Sequence, residues 1–355
     1  MFQNIIVLLA VSIAFFSCKK DKPDEGNNNL PTVSASKVLI VCEGSLGNGN
    51  AELSVYDPIA DSVFNDVFKT ANKQPLGDIF QSIYKHNDDY FLSVNNSDKI
   101  AVIESKNWKQ KATIAVSKPR YIVAVNDHKA YVGSLFSNKI YVINTNNFSV
   151  EKEIKMPFQN VEGMLMTDGF AYVCCWDTAC NKLYQINTNN DEITDSINLA
   201  GSAPQSILMD KENKAWVMGG NVYKNKKTNL TRIDLSSKKA VRSYIYTTAV
   251  EAIKPCFNKG KDTLYFLKVN YSGGSLNNGV FRMSIIDPIL PEIAFIPCQT
   301  NQYFWALGID PASGNIYVGD PKGFVQKSSV SIYNQKAIFQ KYFNAGLGIS
   351  SFYFD

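Results

Sequence analysis

The stretch NKIYVINTNN, residues 138–147, returns at residues 181–190 as NKLYQINTNN. Both copies carry a short apolar run rich in β-branched and aromatic residues and then break into an Asn-rich run, the pattern of a strand entering a tight turn. Each is preceded by a further apolar run, KAYVGSLFS in the first case and FAYVCCWDTAC in the second. Before those lie YIVAV (Tyr121 to Val125) and EGMLM (Glu162 to Met166), and after the copies come the charged alternating runs VEKEIKM and ITDSINL. The repeated unit is therefore four short strands separated by turn residues, with a period of about 40 residues, which is the mark of a propeller blade. A helical solenoid would need apolar positions at a 3.6-residue spacing, and these runs are β-branched and aromatic instead.

The same unit recurs less closely over Phe80 to Ile114, over Pro204 to Tyr246, from Ala252 and from Phe304, making six. A seventh is divided between the ends of the domain. Lys37 to Phe68 offers three strands (KVLIVCEG, ELSVYDP, SVFNDVF), and the tail GISSFYFD, Gly348 to Asp355, offers one. The expected fold is all-β, a seven-bladed β-propeller whose last blade is closed by N- and C-terminal strands, so that no sheet edge stays open. Two stacked sandwiches would explain neither the regular repeat nor the single terminal strand.

With 355 residues, 45% of them hydrophobic, the chain can bury a large core. The formal charge of +4 is small, and the basic residues are scattered among Asn and Ser, so no nucleic-acid partner is expected. Residues 5–16, IIVLLAVSIAFF, form an apolar run of signal-peptide length, too short to span a bilayer. The run ends in Ser17-Cys18, which resembles a bacterial lipobox. Residues 1–17 are read as a lipoprotein signal peptide, Cys18 as the lipidated residue, residues 18–36 as a polar tether and residues 37–355 as the propeller. The Lys19-Lys20-Asp21 start of the tether, with Asp24 and Glu25 behind it, looks like a tag for the outer face of an outer membrane. Export would place the remaining cysteines in an oxidising compartment. Cys175 and Cys180 flank WDTA and are open to two readings, a bridge between strand ends or two thiols; the spacing lacks the paired knuckles of a zinc site.

In an antiparallel blade with strands a to d, the a–b and c–d turns emerge on one face of the disc, and the b–c loops and d–a crossings on the other. The a–b turns here are short and polar, whereas the b–c loops are longer and bear Gly, Asn and aromatic residues. A ligand face is expected on the b–c side. Its aromatic candidates are Phe136, Trp176, Tyr223, Tyr271 and Phe324, with Trp305 at a d–a crossing, and its polar candidates are Asn48, Asn95, Asn96, Asn138, Asp177, Asn221 and Asn278. At the start of strand a, facing the central channel, stand Gln81, Arg120, Glu162, Gln205 and Glu251, either as ligand contacts or as bonds that knit blades together. Catalytic groups are scarce. The chain's two histidines, His86 and His128, fall on a–b turns, away from the loop face, and no HExxH, GxSxG or phosphate loop occurs. The chain is thus expected not to be an enzyme and to hold no metal or catalytic cofactor. The enzymatic alternative is a calcium-dependent propeller lactonase with Glu162 and Glu251 as ligands.

The stretches VCEGSLGNGNAELSVYDP, QPLGDIFQSI, VNNSDKIAVIE, SKPRYIVAV and SNKIYVINT make nearly the whole of residues 37–355 similar to the YncE-like seven-bladed surface lipoproteins of the BtuG type, found beside outer-membrane corrinoid transporters. That resemblance implies capture of cobalamin at the cell surface, with the corrinoid as bound ligand, and delivery to a TonB-dependent barrel of the BtuB type. A corrinoid is a wide, flat ring fringed with amides, and a broad platform of Asn, Gln, Tyr and Trp suits it. A glycan-binding or other nutrient-binding surface propeller is the alternative of the binding class.

Overall fold

The computed structural model describes residues 37–269 and 278–355. Cys18, the two segments before Lys37, and Tyr271 lie outside the described residues. Seven four-stranded antiparallel sheets are present among the described residues. Blade 1 comprises Phe80–His86, Asp89–Val94, Lys99–Glu104 and Gln110–Ala115; blade 2 comprises Pro119–Ala124, Lys129–Ser134, Lys139–Asn144 and Ser149–Lys155. Blade 3 is Val161–Thr167, Phe170–Cys175, Lys182–Asn187 and Glu192–Asn198; blade 4 is Pro204–Met209, Ala215–Asn221, Lys226–Asp234 and Lys239–Ile245. Blade 5 is Glu251–Phe257, Thr263–Val269, Gly279–Ser284 and Ile296–Pro297; blade 6 is Ala306–Ile309, Ile316–Asp320, Lys327–Tyr333 and Phe339–Leu347. Blade 7 takes Ile349–Phe354 as its strand a and Val38–Cys42, Glu52–Asp57 and Ser62–Phe64 as b, c and d. The C-terminal strand pairs along Val38–Cys42 and so closes the ring from the innermost position. Strands a of successive blades lie against one another around the centre.

The apolar runs are continuous in strands b and c because both faces of those strands are covered. In Val38–Cys42 the side chains of Leu39 and Val41 enter a cluster with Phe80, Tyr90 and Trp108 of blade 1, while Val38, Ile40 and Cys42 enter one with Tyr317 and Val330 of blade 6. Period-two alternation with two buried faces reads as an unbroken hydrophobic run. Each of the seven clusters is shared by two adjacent blades, so the core is a ring of inter-blade layers.

Two outer strands depart from the repeat. SVFNDVF is not one strand: strand d of blade 7 ends at Phe64, Asp66 turns the chain at φ 53°, and Val67–Asn72 is a short helix. Its buried face, Val67, Phe68 and Ala71, caps the layer between blades 7 and 1, and Asn72 joins it to blade 1 by donating to the Trp108 carbonyl (2.9 Å) and accepting from Gln110 N (2.8 Å). In blade 5, strand d is cut to Ile296–Pro297, because Pro288, Pro291 and Pro297 remove the donors a ladder needs. Cys175 and Cys180 are both buried free thiols in the layer between blades 2 and 3. Burial pushes both thiols up, and Cys180 Sγ donates to the Lys182 carbonyl at 3.4 Å.

Candidate functional site

The b–c face surrounds the mouth of the central channel, and charge fills that mouth. Arg120, at the start of strand a in blade 2, donates from Nε to Glu162 Oε1 (2.8 Å) and from Nη2 to Oε2 (3.0 Å), and from Nη1 to the Gln81 side-chain carbonyl. The Glu162 side chain is completely buried. Two parallel charge-assisted bonds across a blade boundary are the strong geometry for such a pair. Glu43, which follows strand b of blade 7, and Lys254, in strand a of blade 5, complete the network through space. Burial pushes the Glu43 carboxyl up, against the pull of Lys254 and Arg120. Burial likewise pushes Glu162 up, against Arg120 and Lys254. Lys254 also sits 5.9 Å from the centre of the Trp305 ring. Gln81, Arg120 and Glu162 thus knit blades 1, 2 and 3, while Gln205 stays half-buried at the same level of blade 4.

Outside the mouth, a chain of contacts crosses blades 2 to 4. Asn160, at the crossing into blade 3, accepts from Phe136 N (2.8 Å) through its side chain and from Trp176 N (2.8 Å) through its carbonyl. The Trp176 indole N–H then donates to the Gly220 carbonyl of blade 4 at 2.8 Å. Next along that loop, the turn Val222–Lys224 is capped by the Asn221 side chain and presents Tyr223. Phe136 and Tyr223 are left 74% and 72% exposed, a large apolar area for single loop residues. Asp177 caps its own turn by accepting from Ala179 N (2.9 Å).

On the opposite side of the mouth, blades 6, 7 and 1 enclose an open cleft of about 470 Å³, lined chiefly by Glu43, Leu46, Asn48, Ile79, Phe324 and Val325. Its walls are tied together. Asp78 Oδ2 accepts from Gly47 N (2.9 Å) and from Asn96 Nδ2 (2.5 Å), and the Ser45 hydroxyl donates to the Phe324 carbonyl. Trp305 stacks on Tyr303 (5.8 Å between centroids) and meets Phe324 edge-on (6.1 Å), and its Nε1 is buried with no hydrogen-bond partner.

Of the residues expected from sequence, Asn48, Phe136, Trp176, Tyr223, Phe324 and Trp305 gather on the b–c face. Asn95 and Asn96 do not offer free amides. Asn95 is buried and donates to the Pro119 carbonyl (3.1 Å), and Asn96 is spent on Asp78 and Lys118. Sequence reasoning missed Glu43, Leu46, Ile79, Asn160, Lys254 and Val325. The one available signal was the Gly-flanked Leu46 in EGSLGNGN, an apolar residue on a loop that needs none. His86 and His128 lie on the a–b side, where His86 Nε2 is 3.0 Å from the Asp127 carbonyl and His128 Nδ1 is 2.9 Å from Asn146 Nδ2. Among the described residues no group of three His, Cys, Asp or Glu side chains is placed to hold a metal ion.

No curated protein matches the chain. Solved structures of similar shape include a quinonprotein alcohol dehydrogenase-like protein from Bacteroides thetaiotaomicron, with TM-score 0.66, 12% identity, and coverage of 89% of this chain and 78% of that one. A proposed 6-phosphogluconolactonase from Bacteroides uniformis gives TM-score 0.66 at 8% identity, covering 90% of this chain and 99% of that one. Hydrazine synthase from Kuenenia stuttgartiensis gives TM-score 0.61 at 15% identity, covering 76% of this chain and 87% of that one. At such identities the likeness is one of fold. A family model described as a domain of unknown function, DUF5074, matches residues 37–347, and the chain belongs to that family.

Proposed function

We propose that the b–c face captures a corrinoid of the cobalamin type, that Cys18 carries a lipid anchor holding the protein at an outer-membrane surface, and that the ligand passes to a TonB-dependent barrel. The observation that carries the reading is the pairing of exposed Phe136 and Tyr223 on one side of the mouth with the 470 Å³ cleft of Leu46, Ile79 and Phe324 on the other. A flat macrocycle resting across the charged mouth would cover both apolar shoulders, and its peripheral amides would meet Asn48 and the loop backbone. Glu162 gives both its carboxylate oxygens to Arg120, which favours binding over the calcium-lactonase reading. Incubation with cyanocobalamin followed by desalting should yield a red protein fraction, and Phe136→Ala with Tyr223→Ala should lose it. A colourless protein under those conditions would refute the reading, and retention of a labelled oligosaccharide instead would favour a glycan.

A further inference from the structure

The opposite face carries an apolar crescent that the ligand reading does not use. Its c–d turns divide sharply. In blades 1 to 4 those turns expose no large apolar side chain, whereas blades 5, 6 and 7, which are consecutive, expose Ile286 and Ile289, then Ile338 and Phe339, then Ile59. The isoleucines range from 56% exposed at Ile338 to 76% at Ile59. The same tripeptide, Asp-Pro-Ile, forms the tip in blades 7 and 5 (residues 57–59 and 287–289). Asp57 Oδ1 accepts from Ile59 N (2.9 Å) and Asp287 Oδ2 from Ser284 N (2.7 Å), so each carboxylate is turned back into its own turn and the isoleucine is thrust outward. The tips are braced as well. Arg242 of blade 4 donates to the Ile286 and Asp287 carbonyls (2.7 and 2.8 Å), Arg282 of blade 5 to the Gln335 carbonyl of blade 6 (3.5 Å), and Lys341 of blade 6 pairs with Asp61 of blade 7.

We infer that this crescent is a membrane-contact surface that dips its isoleucines into the headgroup boundary of a lipid bilayer. Three features favour lipid over a protein partner. The apolar side chains stand on separate convex tips with no groove between them, and a bilayer boundary accepts such points without shape complementarity. The tips are rigidified by proline and by side-chain caps, so insertion costs little ordering entropy. Residues 1–36 join the ring at Lys37, on this same face and in blade 7 itself, where Asp355 N bonds the Lys37 carbonyl at 2.9 Å. Eighteen residues separate Lys37 from Cys18, at most about 65 Å of chain. This last argument rests on the lipid-anchor reading. The consequence is an orientation in which the b–c face looks away from the bilayer.

The test uses the chain from Lys37, because every strand of the ring falls within residues 38–354 and closure needs nothing before them. Sedimentation with vesicles of phosphatidylethanolamine and phosphatidylglycerol should pellet a fraction that grows with lipid. Ile59→Ser/Ile286→Ser/Ile289→Ser should cut that fraction by about tenfold or more with an unchanged melting temperature. Val150→Ser/Val241→Ser, on the outer strands of blades 2 and 4, should leave it as it is. No sedimentation of the parent chain, equal sedimentation of the triple variant, or equal loss in the control pair would each overturn the inference. The anchor is tested separately by Cys18→Ala in the full chain, which should release the protein from the membrane fraction. That result can fail while vesicle binding by the isolated ring stands.

Discussion

Replacing Arg120 with Met isolates the energetics of the channel mouth. Glu162 is wholly buried and bound by Arg120 through both oxygens, so the change strands a carboxylate beside Lys254 alone. The stranded group can avoid burying its charge by taking a proton. At pH 7, holding a carboxyl of ordinary value 4.5 neutral costs at most about 3.4 kcal/mol, at 1.36 kcal/mol per pH unit. Burial already raises Glu162 in the parent, which lowers the increment, and the loss of the Gln81 contact adds about 1 kcal/mol. The expected cost is roughly 3 kcal/mol at pH 7, falling to about 1 kcal/mol at pH 4.5. The sign follows from proton counting. A carboxyl raised in the folded state holds its proton where the unfolded chain has lost it, so stability declines as pH rises from the unfolded value through the folded one. Urea denaturation at the two pH values, with an unchanged slope, reads both numbers. Arg120→Met/Glu162→Leu should recover most of the loss and abolish the added pH dependence. A single variant as stable as the parent at pH 7, or a double variant no better than the single one, would refute this account.

Glu43→Gln removes a second carboxyl that burial has raised, so the stability of the parent relative to this variant should decline as pH rises above about 4.5; parallel curves from pH 4.5 to 7 would contradict the assignment. Deleting Gly348 to Asp355 takes away strand a of blade 7 and the bonds of Asp355 to Lys85 and Tyr90, and should lower the melting temperature by on the order of 10 °C or more. A truncated chain that melts with the parent would show that the ring does not depend on this closure. In cyanocobalamin titrations, His86→Ala/His128→Ala should leave affinity unchanged because both rings sit on the a–b side, whereas Tyr223→Ala should weaken it by about 1 to 4 kcal/mol. The reverse pattern would move the ligand to the other face.

How much of this was legible in sequence depended on whether a residue's role was local. Blade register was readable because short apolar strand runs and turn chemistry are decided within ten residues, as in NKIYVINTNN. Val67, Phe68 and Ala71 misled because Val63-Phe64 and Val67-Phe68 look like one alternating run, while a spacing of four also makes a helical face; the turn at Asp66 decided between them. At the b–c face the difficulty was direction. Asn95, Asn96 and Asn48 all occupy b–c loops, yet Asn95 turns inward to a blade boundary, Asn96 braces Asp78, and Asn48 stays outward on the cleft. An amide serves either end in a loop, and only the neighbouring blade settles which. Glu43 and Lys254 were missed for a related reason. They are more than 200 positions apart, and the ring, not the chain, brings their charges to one mouth.

Ile79 joins the two themes of strain and site. It is β-branched and yet sits at φ 59°, a conformation that side chains of its kind rarely adopt and that costs roughly 1 to 3 kcal/mol. The surroundings hold it there. Asn95 N donates to the Ile79 carbonyl (2.7 Å), Asn96 N to the Asp78 carbonyl (3.0 Å), and Ser97 Oγ accepts from Asp78 N (2.9 Å). If packing alone required isoleucine, its replacement would simply destabilise the crossing. The side chain instead lines the open cleft and is only half buried, so little packing offsets the strain. Asn tolerates this backbone conformation far better. Ile79→Asn should therefore raise stability, by up to about 1 kcal/mol in urea, while weakening cyanocobalamin binding by about tenfold. Opposite signs in the two assays are the signature of strain kept for a ligand. A variant that loses more than about 1 kcal/mol of stability with unaltered binding would show that the isoleucine serves the fold and not the cleft.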